Sequence, residues 1–275
     1  MVDTLNMRWA MLAAILVATV TLVSGLAGCA APGGSSASSP KTDMLTASDE
    51  PDSNKRARIR LELALGYFEK GQTTIALDEL KQSINANPNM YEAHNLRGLI
   101  YMRLNDVPLA EESFRRALSL NPKAANVQHN YGWLLCQQSR LPEAVLLFAS
   151  ALENPAYGDR AKTWMAQGWC QMKAGQMVEA ENSFLRSYEL DAGNPITGYN
   201  LALLLFQRRD LVRAQFYVRR INNSELANAE SLWLGIKVER RLQGREAMDQ
   251  LGGQLKKRFP QSREASAWDR GAFDE

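Results

Sequence analysis

Small and large apolar side chains recur along this chain with a period of about 34 residues, from position 64 to position 251. Each period holds a small residue, an alanine twelve residues later and a large apolar residue four positions after that. The six triplets are Ala64/Ala76/Leu80, Gly98/Ala110/Phe114, Gly132/Ala144/Phe148, Gly168/Ala180/Phe184, Ala202/Ala214/Val218 and Gly235/Ala247/Leu251. Residues four apart share one face of a helix. The pattern therefore predicts pairs of antiparallel helices that approach closely where the small residues lie and stack into a longer array.

The second period carries the fullest version of a known repeat signature. Its members Gly98, Tyr101, Ala110, Phe114, Ala117 and Pro122 resemble the tetratricopeptide repeat, which has small, aromatic, Ala, Phe and Pro residues at fixed offsets. The resemblance predicts an all-α, right-handed superhelix of six helix-turn-helix repeats, at 57–90, 91–124, 125–160, 161–194, 195–227 and 228–261. The junction between repeats three and four carries two extra residues. The polar second helix of the sixth repeat suits a terminal cap, and a carboxyl-terminal tail is expected over 262–275.

The amino-terminal segment has the features of an export signal. Residues 11–26 are almost wholly apolar, Arg8 precedes them, and a Leu-Ala-Gly-Cys sequence ends at Cys29. This tetrapeptide resembles the lipobox of bacterial lipoproteins, which implies that a signal peptide over 1–28 is removed and that Cys29 is lipidated. The alternatives are an uncleaved membrane anchor or an ordinary signal peptide with a chance cysteine. Since Asp3 is unusual in such a segment, translation could start at Met7 instead of Met1.

The residues that follow Cys29 bear on location and reach. Ala30 and Ala31 come next, without an Asp beside the cysteine. By resemblance to enterobacterial lipoproteins, this favours an outer-membrane protein whose folded part faces the periplasm. Residues 29–56 begin with a Gly- and Ser-rich stretch and show little periodicity, so they are expected to form a lipidated, flexible tether.

The first helices of such repeats line the concave surface of the array. Positions one and four residues after each small marker are expected to face inward. They are Leu65 and Phe68, Leu99 and Met102, Trp133 and Cys136, Trp169 and Met172, Leu203 and Phe206, and Ile236 and Glu239. Either these apolar side chains only pack against neighbouring helices, or they form an exposed patch that binds a partner protein. The predicted partner-binding residues are Leu61, Leu65, Phe68, Leu99, Met102, Trp133 and Trp169, with the first repeat as the preferred docking point.

Cys136 and Cys170 lie 34 residues apart, on the first helices of neighbouring repeats. In an oxidising periplasm this placement predicts a disulfide, and two small buried hydrophobic residues are the alternative. A zinc site needs about four clustered ligands, and His94 and His129 are distant in sequence, so no metal is expected. The chain has no Gly-rich phosphate loop, GxSxG or HExxH motif. We therefore expect no enzyme activity, cofactor or small-molecule substrate, and the net charge of +2 gives no reason to expect nucleic acid.

The lipobox, the Ser-rich tether, the six repeats and the placement of Cys136 and Cys170 together resemble the PilF/PilW family of type IV pilus biogenesis lipoproteins. This resemblance implies a pilotin, an outer-membrane lipoprotein that helps the pilus secretin reach the membrane and multimerise, with a hydrophobic groove on the first repeats. PilW-type members are associated instead with the stability of assembled pili. The competing interpretation is another periplasmic scaffold, such as an NlpI-like adaptor for peptidoglycan hydrolases or a BamD-like part of the outer-membrane assembly machine.

Overall fold

Thirteen α-helices and no β-strand make up residues 51–273, the part of the chain that the computed structural model describes. The helices are α1 (Asp52–Glu69), α2 (Thr73–Ala86), α3 (Tyr91–Arg103), α4 (Val107–Leu120), α5 (Ala125–Gln137), α6 (Leu141–Glu153), α7 (Arg160–Lys173), α8 (Met177–Leu190), α9 (Pro195–Gln207), α10 (Leu211–Asn222), α11 (Ala229–Arg241), α12 (Arg245–Arg258) and α13 (Arg263–Arg270). The first twelve pair in chain order into six helix-turn-helix repeats, which stack as a superhelix. The predicted fold class is therefore confirmed.

In repeats one to five, a small residue on the first helix allows a large one from the second helix to fill the space between them. At Gly98 an added Cβ would lie 2.5 Å from the ring of Phe114, and at Gly168 it would lie 2.8 Å from the ring of Phe184. Both rings are fully buried. The first repeat keeps Ala64 at the marker position and has the smaller Leu80 in place of the phenylalanine. The size of one residue thus matches the size of its partner within these repeats.

Every turn between the two helices of a repeat uses one residue in the left-handed backbone region. In all six repeats it is the middle residue of a three-residue turn: Gly71, Asn105, Ser139, Gly175, Arg209 and Gln243. A left-handed residue after the last helical turn is a common way to end a helix. The regular position of this residue gives each repeat the same turn, although only two of the six carry the glycine that this conformation favours.

Inter-repeat ion pairs brace the second helices. The half-buried Glu111 of α4 accepts hydrogen bonds from Arg140 in the next repeat at 3.0 Å and from the hydroxyl of Tyr131 at 2.7 Å. Glu181 of α8 is bound in the same way by Arg208 and Arg213. Burial raises the pKa of Glu111, but the hydrogen bonds from Tyr131 and Arg140 outweigh it and leave the pKa below its usual value.

The two ends of the array differ from the sequence prediction. Helix α1 begins at Asp52, so residues 52–56, which were expected to belong to the tether, are helical. Residues 263–270 of the expected tail form α13, capped at Ser262, whose hydroxyl accepts a hydrogen bond from the backbone N–H of Ala265. The signal peptide, Cys29 and most of the tether lie outside the described residues.

The sixth repeat was predicted one residue out of register. Aligned by its helix ends and by its left-handed turn residue Gln243, its triplet is Ile236, Met248 and Gly252, in place of Gly235, Ala247 and Leu251. At the first two of these positions the sixth repeat has the large residues Ile236 and Met248, where the other repeats have small ones. At the third position it has Gly252, where the other repeats have a large apolar residue. Trp268 of α13 fills the space that Gly252 leaves, since an added Cβ there would lie 2.3 Å from its ring. The tail helix thus completes the core of this repeat together with its second helix, whose Leu255 is fully buried.

Candidate functional site

A groove of about 680 Å³ runs along the concave surface, across the first helices of repeats one to five. Apolar and aromatic side chains cover most of it, and amide and cationic side chains complete it. The lining residues are Phe68, Leu99, Met102, Arg103, His129, Asn130, Trp133, Gln137, Lys162, Met165, Ala166, Trp169, Ile196 and Asn200. Clefts of this size, apolar with a few placed polar groups, are typical of binding sites.

Two tryptophans form the centre of the groove. The ring centroids of Trp133 and Trp169 lie 5.1 Å apart with the planes tilted by 52°, a favourable arrangement for an aromatic pair. Both indoles are half-buried. The Lys173 ammonium lies 5.3 Å from the centroid of the Trp169 ring. The pair therefore offers an aromatic surface that is rigid, partly exposed and close to positive charge.

The disulfide between Cys136 and Cys170 holds the two helices that carry these tryptophans. The Cα atoms of the cysteines are 5.8 Å apart, and both side chains are buried. The two extra residues at this junction therefore do not prevent the bond. Because Trp133 lies one turn from Cys136 and Trp169 lies next to Cys170, the disulfide fixes the spacing of α5 and α7 beneath the indole pair.

A buried hydrogen-bond network forms one wall of the groove. The Nδ1 atom of His129 lies 2.8 Å from the hydroxyl of Thr163 in the next repeat, and Thr163 donates to the Tyr157 hydroxyl at 3.3 Å. Burial lowers the pKa of His129 to about 4, assisted by the positive charge of Lys162, whereas Asp159 acts in the opposite direction. The imidazole is therefore neutral near pH 7, and Tyr157 of the enlarged junction helps to close the wall.

Polar groups lie on the floor and at the edges of the groove. Asn130 donates an amide N–H to Asn95 of the preceding repeat at 3.0 Å. At one end Arg103 donates to the backbone carbonyl of Phe68 at 2.5 Å, and its guanidinium lies 3.8 Å from the Phe68 ring centroid. This contact joins repeats one and two and leaves an exposed cation beside an aromatic ring.

The sequence prediction located the centre of this groove better than its ends. Five of the predicted partner-binding residues line it: Phe68, Leu99, Met102, Trp133 and Trp169. Leu61 instead packs, half-buried, against the core of the first repeat, and Leu65 is 45% exposed outside the groove lining. Whether the first repeat is the docking point stays a prediction.

Other positions expected to face inward lie elsewhere. Met172, Leu203 and Phe206 are half-buried and lie outside the groove lining, and Cys136 is buried in the disulfide. The prediction for Ile236 and Glu239 was wrong, because both are buried, at 0% and 2% exposure. The register of the sixth repeat explains the error.

Several groove residues were missed by sequence reasoning. Met165 and His129 lie three residues before the small markers of their repeats, and Lys162 and Ile196 lie six residues before theirs. These positions continue the face that holds Trp133 and Trp169 by one and two helical turns toward the amino terminus. Extending the predicted inner face along the whole helix would have found them.

Among residues 51–273, no group of three or more His, Cys, Asp or Glu side chains could hold a metal ion. Within the same range, no helix is both long and apolar enough to cross a membrane.

Comparisons with known proteins agree with the architecture. A family model described as tetratricopeptide repeat matches residues 61–125, 99–161 and 132–195. The type IV pilus assembly protein PilF of Pseudomonas aeruginosa is 29% identical over 88% of this chain and 93% of its own length. The solved structure of that PilF superposes with a TM-score of 0.72, at 26% identity, over 80% of this chain and 100% of the other.

A second solved structure is similar over nearly its whole length. The crystal structure of PilW, described as a widely conserved type IV pilus biogenesis factor, has a TM-score of 0.70 and 30% identity. The alignment covers 78% of this chain and 98% of PilW. The repeats, the helix pairing and these matches together show that this chain belongs to the PilF/PilW family of tetratricopeptide repeat proteins.

Proposed function

We propose that this chain is an outer-membrane lipoprotein scaffold for type IV pilus biogenesis, which binds the pilus secretin and promotes its localisation and multimerisation. The names of its relatives support the process: PilF is a type IV pilus assembly protein, and PilW is a type IV pilus biogenesis factor. The observation that carries the binding role is the groove around Trp133 and Trp169. These indoles pack against the buried core with one side and line the groove with the part that stays exposed, which is available to a partner.

The proposed role is that of a scaffold and not of an enzyme. The groove lining combines aromatic, aliphatic and methionine side chains with a few amides and cations. Aromatic, Met and Arg side chains are enriched at the cores of protein–protein interfaces. Such a surface suits a protein segment that is held while the partner assembles elsewhere.

The anchor is part of the proposal because it would bring the groove to the membrane in which the secretin multimerises. Lipidation of Cys29 would place the folded part in the periplasm. A Cys29→Ser variant should lose incorporation of labelled fatty acid and lose recovery with the outer membrane, while the wild type keeps both. Recovery of that variant with outer membranes, still unlabelled, would contradict the proposed anchor.

Affinity capture of the secretin from membranes that contain the lipidated protein tests the binding role. We expect a Trp133→Ser/Trp169→Ser variant to lose secretin multimers and twitching motility while its helix content stays unchanged. Phe216→Ser is the matched control, because it removes an aromatic side chain that is 60% exposed on a second helix, outside the groove. Normal multimers and normal pili in the tryptophan variant would contradict the binding role of the groove.

Two further results would redirect the proposal. A Leu65→Glu/Phe68→Glu variant tests the first repeat, and loss of multimers in that variant alone would place the docking site there. Recovery of peptidoglycan hydrolases in place of the secretin, with normal pili in a deletion strain, would reject the pilus role in favour of a cell-wall adaptor.

A further inference from the structure

The charge of the groove is one-sided. Arg103 and Lys162 line it, and Lys173 lies over Trp169, whereas none of the described lining residues is Asp or Glu. The positive charge also acts on the buried wall of the groove. The pKa of His129 is lowered there, first by burial and second by the positive charge of Lys162. Asp159 acts there in the opposite direction but contributes less than Lys162. An apolar groove with cationic edges favours a partner segment that carries carboxylates.

The sixth repeat contains an internal example of a side chain bound on this face beside cations. On the corresponding face of α11, the ring of Trp233 stacks with Phe273 of the chain's own carboxyl-terminal segment, with centroids 5.5 Å apart. The Arg240 guanidinium lies 4.3 Å from the Phe273 ring centroid, and the Lys237 ammonium lies 5.4 Å from that of Trp233. In sequence, Phe273 is followed by two acidic residues. This face of the repeat thus binds an aromatic side chain beside two cations.

The two lining cations lie at opposite corners of the groove. Arg103 follows its marker Gly98 by five residues, and Lys162 precedes Gly168 by six. At 1.5 Å per residue they are about 16 Å apart along the helix direction. Two helix spacings of roughly 9 Å separate α3 from α7, so the diagonal is about 25 Å. An extended chain covers that distance with about seven residues.

We infer that the groove binds an extended apolar segment of about seven residues with a carboxylate near each end. This inference rests on the proposed function, because it specifies which kind of secretin segment the groove would hold. The apolar side chains would contact Trp133, Trp169 and Met165, and one carboxylate would reach each of Arg103 and Lys162. The amides of Asn130 and Asn200 line the same groove and are able to bond the backbone of an extended chain.

Fluorescence anisotropy with three labelled synthetic peptides tests this inference on the mature protein. All three share a seven-residue apolar core that contains one Phe, and they end in Asp, Asn or Lys on both sides. We expect the Asp-ended peptide to bind about tenfold more tightly than the Lys-ended one at low salt, with a difference that shrinks as salt rises. Equal affinities, or no measurable binding of the Asp-ended peptide, would overturn the inference.

Variants with reversed charge provide a second test of this inference. Lys162→Glu should weaken the Asp-ended peptide about fivefold and strengthen the Lys-ended one, and Arg103→Glu should add to this effect. Lys257→Glu is the matched control, an exposed lysine on the last second helix, outside the groove lining. Because Arg103 also contacts Phe68, the Lys162 variant decides the outcome: an unchanged peptide preference in that variant overturns the inference.

Secretin capture separates this inference from the proposed function. If the Lys162→Glu/Arg103→Glu variant captures secretin normally while the tryptophan variant does not, the pilus role stands and the carboxylate inference fails. If wild type captures no secretin but still prefers the Asp-ended peptide, the groove chemistry stands and the partner is another protein. Conversion of a dimer into a monomer by the charge-reversal variants would identify a second copy of this chain as the occupant and overturn the inference.

Discussion

The fit between Gly98 and Phe114 can be tested by substituting both residues. In Gly98→Ala, the new Cβ would lie 2.5 Å from the nearest ring atom and 2.7 Å from two others. Carbon atoms in contact are normally separated by about 3.5–4.0 Å, so the ring would have to move by roughly 1 Å. Phe114 is fully buried, and overpacking of a filled core costs about 1–3 kcal/mol. Removing a glycine from a helix recovers about 1 kcal/mol, so we expect a net destabilisation of about 1 kcal/mol.

The compensating substitution is Phe114→Leu, which copies the first repeat. There Ala64 and Leu80 are both buried at the equivalent positions. Alone, Phe114→Leu should destabilise the protein by about 2 kcal/mol, because it leaves a gap beside the glycine. In the double variant the alanine methyl enters the space that the ring vacates. We therefore expect the double variant to lie within about 1 kcal/mol of wild type, a coupling of about 2 kcal/mol.

Urea unfolding, followed by far-UV circular dichroism and by tryptophan fluorescence on the same samples, measures the four free energies. Gly66→Ala is the matched control, since an added Cβ on this helical glycine has no neighbouring atom within 4 Å. It should raise stability by about 0.5–1 kcal/mol. Effects of Gly98→Ala and Phe114→Leu that add to within about 0.5 kcal/mol would refute the size-matching argument.

Three further predictions concern stability. The Cys136–Cys170 bond closes a loop of 34 residues. The Cys136→Ala/Cys170→Ala variant should therefore lose up to about 4 kcal/mol of unfolding free energy. Its unfolding midpoint should lie close to that of the reduced wild type. Because burial keeps His129 neutral with a pKa of about 4, only the unfolded chain binds its proton between pH 6.5 and 4. Stability should therefore fall by up to about 3 kcal/mol as the pH drops through that range, and His129→Gln should flatten the decline in a thermal melt. Ser139 holds the left-handed turn position with φ 61°, so Ser139→Gly should raise the unfolding free energy by about 0.5–1 kcal/mol, and a decrease would contradict the turn argument.

The repeats could be predicted because their determinants are local and periodic. Gly98 and Phe114 belong to one helix pair, and the same spacing recurs often enough to fix the helix bounds. The sixth repeat lacks this redundancy. Ile236 and Gly252 invert the usual sizes, and the residue that fills the gap, Trp268, comes from a segment outside the period. A glycine and an alanine one position away completed the expected pattern by chance, which shifted the predicted inner face onto buried residues.

Part of the groove could be predicted because the positions of some of its residues within the repeat fix the direction of their side chains. Trp133 and Trp169 stand next to their glycine markers, where the direction of each side chain follows from helix geometry. Met165 and Lys162 lie one and two turns away on the same face, and only the curvature of the stacked array brings them to the same groove as Met102. The distribution of charge in this groove depends on which helical turns of neighbouring first helices lie side by side. That arrangement depends on the packing of three repeats.

The separation of core from groove is what allows this array to bind a partner without losing stability. Small markers and the large apolar residues that face them supply the contacts within repeats one to five, and Glu111 and Glu181 brace neighbouring repeats from the second helices. The indoles on the first helices can therefore change their contacts while the stack remains intact. In the sixth repeat the same face is covered by Phe273 from the chain's own end. The groove lies on the repeats before it, where the disulfide fixes the spacing of the helices that carry the indoles.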